Sequence, residues 1–273
     1  MPELPEVEVT KRSLKSHLQG RQIERINVRE KRLRWPLNLN QLNHLLNQDI
    51  LSLSRRGKYI LINSERGTAL IHLGMSGSIG ILKNDRPIKK HDHFDLVTDN
   101  KVIIRFTDPR RFGSFVWAGK NPEKHKLLKN LGPEPLNNDQ LGLHLHNLSK
   151  GRKTSVKAYI MNANIVVGVG NIYASESLFI SGIHPKRRAN AVSKNRYLKL
   201  ATAIQNTLEK SINMGGTTLR DFTYSDAGEK VGYFKQELNV YGRGGSQCSK
   251  CERPIKSVLL SGRSSFYCSN CQH

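Results

Sequence analysis

Phe94-Asp95-Leu96-Val97-Thr98-Asp99-Asn100-Lys101-Val102-Ile103-Ile104-Arg105-Phe106 carries two short runs of β-branched, aromatic and leucine residues on either side of an Asp99-Asn100 turn signal. Such a stretch reads as a β-hairpin. Upstream, Tyr59 to Ile62 and Thr68 to Leu73 repeat the pattern, bounded by Gly, Asn and Asp. Short strands at this spacing across residues 20–118 predict an antiparallel β-sandwich. Ahead of them, Pro5 can serve as the first residue of a helix through Val7, Leu14 and Leu18, whose apolar side would pack on the sandwich.

Beyond residue 118 the pattern changes. Pro122, Pro133, Pro135 and Asn137-Asn138 break any long element, leaving room for a short helical piece from Lys124 to Leu131. From about 141 to 214 the period is helical, most clearly in Leu198, Ala201, Ile204, Leu208 and Ile212. The expected organisation is α+β and multidomain: residues 1–120, a linker at 121–140, a helical domain at 141–235 and a terminal hairpin at 236–273.

The chain has 44 Lys and Arg against 22 Asp and Glu, a formal charge of +22 in 273 residues. That balance points to a polyanionic partner, nucleic acid first. A membrane surface fits less well, because no apolar run approaches the roughly 18 residues a span needs. Leu4 is followed at once by Pro5, Glu6 and Glu8, which is not a secretory signal, so a cytoplasmic setting is expected.

The cysteines are Cys248, Cys251, Cys268 and Cys271, two Cys-x2-Cys pairs with the spacing of a zinc ribbon. Two disulfides are the alternative, but reduced cytosolic thiols at this spacing favour one structural Zn²⁺ held by all four. Between the pairs, Val258-Leu259-Leu260 and Phe266-Tyr267 flank Ser261-Gly262-Arg263-Ser264, a hairpin with an arginine at its tip.

Other segments look chemical. If Met1 is trimmed, Pro2 becomes a secondary amine beside the Glu3 carboxylate, a nucleophile next to an acid, and the helix that follows would lower its pKa further. Arg55-Arg56-Gly57-Lys58-Tyr59 sets three cations around a turn. His72-Leu73-Gly74-Met75-Ser76-Gly77 would project Met75 outward, and Asp108-Pro109-Arg110-Arg111-Phe112-Gly113 puts two guanidinia beside an aromatic ring. Lys150, Arg152, Lys153 and Lys157 form a basic patch. Gly168-Val169-Gly170-Asn171-Ile172-Tyr173 opens a helix that can hold a phosphate; as a dinucleotide fingerprint it lacks the third glycine, where Tyr173 stands.

Taken in order, Pro2-Glu3-Leu4-Pro5-Glu6-Val7-Glu8, Arg56-Gly57-Lys58-Tyr59, the His72 and Asp108 turns, the Gly168 motif and the cysteine hairpin resemble the bacterial formamidopyrimidine-DNA glycosylases over essentially the whole chain. Val9 and Asn162 depart from that pattern, where Thr and Asp are frequent. The resemblance implies a helix-two-turn-helix domain and a monomer that excises oxidised purines, chiefly 8-oxoguanine and formamidopyrimidines, from duplex DNA and then cleaves the abasic strand. It implies that Pro2 attacks C1′, that Glu3 protonates the opening sugar, and that Lys58 and Arg263 serve the β- and δ-eliminations. Arginine is a poor acid, so elementary chemistry alone makes Arg263 a phosphate clamp. By the same likeness His72, His91, Arg110, Arg152, Asn171 and Arg263 contact DNA, while Met75, Arg110 and Phe112 fill the gap left by the flipped nucleotide. Thr217 to Tyr233, with Gly228 and Gly232, is similar to a loop that closes over the extruded base. The related pyrimidine-repair enzymes, lysine-based helix-hairpin-helix glycosylases and a non-catalytic zinc-ribbon protein remain the rival readings.

Overall fold

The computed structural model describes residues 2–83, 86–215 and 238–273. They fall into two compact units, one holding the chain up to Lys129 with Met214 and Gly215, the other Asn130–Asn213 and the residues from Leu238 on. The segment from Thr217 to Tyr233 lies outside the described residues.

The first unit begins with α1 (Leu4–Leu18), which starts one residue before Pro5. Glu3 is the N-cap, and its N–H donates to the Glu6 carboxylate at 2.8 Å. Pro5, lacking an N–H, sits in the first turn where no intrahelical partner exists anyway. Next come β1 (Ile23–Val28), the short α2 (Leu39–Leu42), β2 (Ile50–Arg56), β3 (Tyr59–Ser64), β4 (Gly67–His72), β5 (Ser78–Leu82), β6 (Asp92–Thr98), β7 (Ile103–Thr107) and β8 (Ser114–Gly119). They pair into two antiparallel four-stranded sheets, β1-β6-β7-β5 and β2-β3-β4-β8. The hairpin expected at Phe94 to Phe106 is β6 and β7, with Leu96 opposite Ile104.

One core joins both sheets to the helix. It holds Val7, Leu14 and Leu18 of α1, Ile60, Ile62 and Ile71 of one sheet, and Leu96, Ile104 and Phe106 of the other. Phe94 stacks on Phe106 and Phe115 at 4.8 and 5.0 Å. The first turns of α1 are buried on every side, Glu6 and Glu8 included. Their charges therefore need partners inside the fold.

Where a helical piece was expected at Lys124–Leu131, there is one 3₁₀ turn (Pro122–Lys124) followed by backbone turns closing on His125. In the second unit lie α3 (Leu141–Ser149), α4 (Val156–Ile160), α5 (Asn171–Ile180) and α6 (Lys194–Asn213), then β9 (Lys256–Leu260) and β10 (Arg263–Tyr267). α6 buries Ala201, Ile204, Leu208 and Ile212 as its period requires, but Leu198 stays exposed and Tyr197 and Leu200 take the inward places. The hairpin and the helices share this unit. Among the described residues no helix is long and apolar enough to cross a membrane.

Candidate nucleic-acid interface and reactive terminus

In the first unit Pro2 and Glu3 are buried at the head of α1. From that helix Glu8 reaches across to β2: its carboxylate accepts from Lys11, Arg12 and Arg55 at 2.8, 2.9 and 3.0 Å. Arg55 passes the connection on, donating from Nη1 to the carbonyl of Gly57 at 2.9 Å. Burial works to raise the Glu8 pKa, but the three cations together hold it below the ordinary carboxylate value. The result is a tether from the helix of Pro2 to the Gly57-Lys58 turn, made by residues that the sequence reading left without roles. Gly57, at φ 57°, supplies the positive dihedral that this two-residue connection between β2 and β3 needs.

Lys58 faces a neutral histidine. His72 pairs with Tyr59 across the strands, ring centroids 4.7 Å apart, and its Nδ1 accepts the N–H of Gly74 at 2.9 Å. Burial first, then the charges of Lys58 and Arg34, push its pKa down to about 4. Nε2 must then carry the proton, which leaves His72 an uncharged donor. Arg34 also belongs to this cluster, its N–H bound to the Gly113 carbonyl at 3.1 Å. The basic run Arg32-Leu33-Arg34-Trp35 was its only sequence signal.

Met75, Arg110 and Phe112 come together on two exposed turns. Met75 and Phe112 are 37% and 43% exposed, high values for apolar side chains, and the Arg110 guanidinium lies 4.9 Å from the Phe112 ring centre. The adjacent Arg111 behaves differently from the pair expected: Nη1 is bound to Glu30 at 3.0 Å. Glu30 is itself drawn down to about 2, chiefly by hydrogen bonds from Arg32. His91 is half-buried, and its carbonyl accepts the N–H of Asp108.

In the second unit the basic patch divides. Lys150, Arg152 and Lys153 are exposed, and Arg152 is steadied by its Nε donating to the Leu148 carbonyl at 2.9 Å. Lys157, expected among them, is 2% exposed. Its ammonium donates to Asn171 Oδ1 at 2.6 Å, Ser265 Oγ at 2.7 Å and the Ser264 carbonyl at 3.2 Å. Asn171 completes the knot by donating Nδ2 to the Ser264 carbonyl at 3.1 Å, with one N–H left for another acceptor. Lys157 thus ties α4, the start of α5 and β10 together.

Arg263 is not at the hairpin tip but is the first residue of β10, opposite Leu260. The tip is Ser261-Gly262, φ 49° and 73°, the two positive dihedrals of a type I′ turn. A two-residue turn fits the strand twist better than the four-residue one first expected.

The four cysteine sulfurs lie within 4.8 Å of one another, and none is in a disulfide. Cys248 and Cys271 are 3.9 Å apart, Cys251 and Cys268 3.4 Å. A tetrahedral zinc with bonds of about 2.3 Å separates its sulfurs by about 3.8 Å, so the set fits that ion. Without a cation the set cannot easily ionise together: Cys271 is pushed up to about 12 by burial and by its three thiol neighbours. The cluster packs on Phe179 of α5 and on Val240 and Ile255. Glu176, also on α5 and 2% exposed, accepts the N–H groups of Asn239, Val240 and Tyr241 and the Asn239 amide, all at 2.8 or 2.9 Å.

Known proteins match this arrangement throughout. The family model of the formamidopyrimidine-DNA glycosylase N-terminal domain matches residues 1–115, and that of the H2TH domain residues 131–223. A formamidopyrimidine-DNA glycosylase of Nitrosococcus oceani is 50% identical over the full length of both chains, and one of Marinobacter nauticus 48%. Among solved structures, a Lactococcus lactis Fpg mutant in complex with DNA containing Fapy-dG aligns over all of both chains with a TM-score of 0.91 at 30% identity. The Lactococcus lactis Fpg bound to DNA with an abasic site aligns over 99% of each with a TM-score of 0.90, also at 30% identity. Two domain models in register, half the residues identical to a full-length relative and the same fold place this chain in the formamidopyrimidine-DNA glycosylase family.

Proposed function

We propose that the protein is a cytoplasmic, monomeric base-excision repair enzyme that removes oxidised purines from duplex DNA and then cuts the abasic strand. The observation that carries this reading is the tether from the helix behind Pro2 through Glu8 and Arg55 to the Lys58 turn, with neutral His72 beside it. It supports the reading by linking the helix that follows Pro2 and Glu3 to the turn that carries Lys58, within one unit.

With Met1 attached, the Pro2 nitrogen is a tertiary amide and carries no nucleophilic lone pair, so the reaction begins only after that residue is removed. The freed secondary amine attacks C1′ and the glycosidic C–N bond breaks, the electron pair leaving with the base. Glu3 gives its proton to O4′ as the sugar ring opens, and the amine's proton is lost as the iminium forms. The iminium acidifies the C2′–H. Loss of that proton expels the 3′ phosphate, and a second elimination expels the 5′ phosphate. Lys58 donates in the first elimination, and Arg263 holds the departing phosphate in the second.

His72, His91, Arg152 and Asn171 bind phosphates in this reading, His72 as a neutral donor. Met75, Arg110 and Phe112 enter the duplex where the damaged nucleotide leaves it. The cysteine set holds one structural zinc, whose charge neutralises the thiolates and orders the hairpin.

Borohydride reduction in the presence of duplexes bearing 8-oxoguanine or thymine glycol tests the reading. A stable adduct is expected on the 8-oxoguanine duplex, mapping to Pro2 and absent in Pro2→Gly. Attachment through Lys58 would overturn the mechanism, and preference for thymine glycol would move the protein to the pyrimidine-repair class.

A further inference from the structure

We propose that Asp108 is a positioning residue, a buried clasp that holds the Met75 turn and the Arg110–Phe112 turn in one fixed arrangement. This rests on the reading that those three side chains enter DNA. Asp108 is fully buried. Its Oδ1 accepts the Ser76 hydroxyl at 2.5 Å and the Arg110 N–H at 3.2 Å, and its Oδ2 accepts the Gly113 N–H at 2.7 Å. The Ser76 oxygen also accepts the Arg110 N–H at 3.2 Å, so one carboxylate and one hydroxyl bridge both turns. Its backbone is fixed too: the Asp108 carbonyl accepts from His93 Nε2 at 2.6 Å, and the Asp108 N–H donates to the His91 carbonyl.

An ordinary Asp-Pro turn needs only the Asx contact to Arg110. Here the second oxygen and the serine are used to connect one loop to another, and the loops meet backbone to backbone. A side chain at Gly74 would have its Cβ 2.4 Å from the Phe112 carbonyl carbon, and one at Gly113 would come within 2.9 Å of the His72 carbonyl oxygen. With the two turns locked, Met75, Arg110 and Phe112 enter a duplex as one rigid body. Without the clasp each turn must be ordered at the moment of entry, at an entropic cost that falls on base extrusion and not on the chemistry at Pro2.

The test separates these steps. Ser76→Ala removes the bridge and keeps the Asx turn; Asp108→Asn removes the charge and one acceptor. Single-turnover excision from an 8-oxoguanine duplex should fall about 10- to 100-fold in each. Cleavage of a preformed abasic site in single-stranded DNA, which needs no filled gap, should stay within about two-fold. The double variant should lose little more than Asp108→Asn alone, because both changes remove the Ser76–Asp108 hydrogen bond. Fluorescence of 2-aminopurine opposite the lesion should report slower insertion. Phe112→Ala is the control for the underlying reading. If it loses duplex excision while Ser76→Ala and Asp108→Asn do not, the clasp is refuted and the reading stands; if it loses nothing, both fall. Equal loss on duplex and single strand in Ser76→Ala also refutes the clasp. Should Asp108→Asn fail to fold, Ser76→Ala alone decides.

Discussion

Replacing Glu176 with alanine should loosen the cysteine hairpin without disturbing the sandwich. Glu176 accepts three backbone N–H groups in succession, from Asn239, Val240 and Tyr241, together with the Asn239 amide. That segment leads into the cysteine cluster, and Val240 shares one buried apolar cluster with Cys248 and Cys268. The three donors are not equally exposed. Val240 is fully buried, so its N–H would be orphaned at about 2 kcal/mol. Asn239 and Tyr241 are only half-buried, so water can replace the carboxylate there at about 1 kcal/mol each. The change totals roughly 4 kcal/mol, a large part of the 5 to 15 kcal/mol that typically holds a domain together. Glu176→Gln keeps one acceptor oxygen and should cost about half as much. The assay is zinc release to a chromophoric chelator, followed alongside thermal unfolding and duplex binding by anisotropy. Glu176→Ala should release zinc at lower temperature and bind duplex more weakly, while a Trp117 fluorescence signal from the sandwich melts where it did before. A variant that keeps its metal and its affinity for DNA would refute the view that these contacts anchor the hairpin.

Glu8→Gln should slacken the link between the helix of Pro2 and the Lys58 turn, lowering stability by about 3 kcal/mol because Arg55 loses its carboxylate in a largely buried site. Since its folded pKa lies below the ordinary value, Glu8 contributes stability above about pH 4.3 that is lost as pH falls through the folded value. Acid titration of the parent should therefore show a loss that the Gln variant lacks, and parallel curves would contradict this. His72, held to about 4, is neutral in the native protein from pH 8 to 5.5. Its contribution is complete above about pH 6.5 and declines as pH falls towards 4, because the unfolded ring gains its proton first. Its ring-proton NMR shifts should be flat over that range, and a midpoint near 6.5 would show the ring to be solvated. Cys248→Ser, or chelation, should abolish DNA binding before the sandwich core is affected, as read by anisotropy beside circular dichroism; full affinity without metal would refute a structural role for the cluster.

Local rules found the elements whose signals are local. β6 and β7 announced themselves as short β-branched, aromatic and leucine runs around Asp99-Asn100, and the hairpin of β9 and β10 by its framing cysteines. Strand order did not follow from such signals, because the division into β1-β6-β7-β5 and β2-β3-β4-β8 is set by contacts distant in sequence. Leu198 fits the helical period but sits where α6 turns outward, and Tyr197, whose hydroxyl reaches the Ala189 carbonyl at 2.8 Å, takes the buried place. Arg111, which is exposed, was expected to be available to a partner, and Lys157 was grouped with exposed cations, because charge alone is visible in a sequence. Their partners, Glu30 and the Asn171–Ser265 pair, lie 81 and 14 to 108 residues away.

Charged residues within the motifs are of two kinds. Arg110, Arg152 and Arg263 are exposed and can meet a partner directly. Glu8, Asp108, Lys157 and Glu176 are buried, and each joins segments far apart in the chain: Glu8 to Arg55 across 47 residues, Asp108 to Ser76 across 32, Lys157 to Ser265 across 108 and Glu176 to Val240 across 64. A buried charge is costly unless several donors or acceptors converge on it, and convergence of that kind fixes the positions of everything attached. In each case what is attached includes a residue assigned to DNA or to the chemistry: Lys58 through Arg55, Met75 through Ser76, Asn171 through Lys157, and the cysteine hairpin through Asn239 to Tyr241. Loss of an exposed member should therefore weaken one contact, whereas loss of a buried member should misplace a whole segment with its own side chains intact. The two classes are distinguishable by salt dependence, since removing one exposed cation lowers the slope of binding against salt by about one charge, whereas misplacing a segment removes every contact that segment carries, charged and uncharged together.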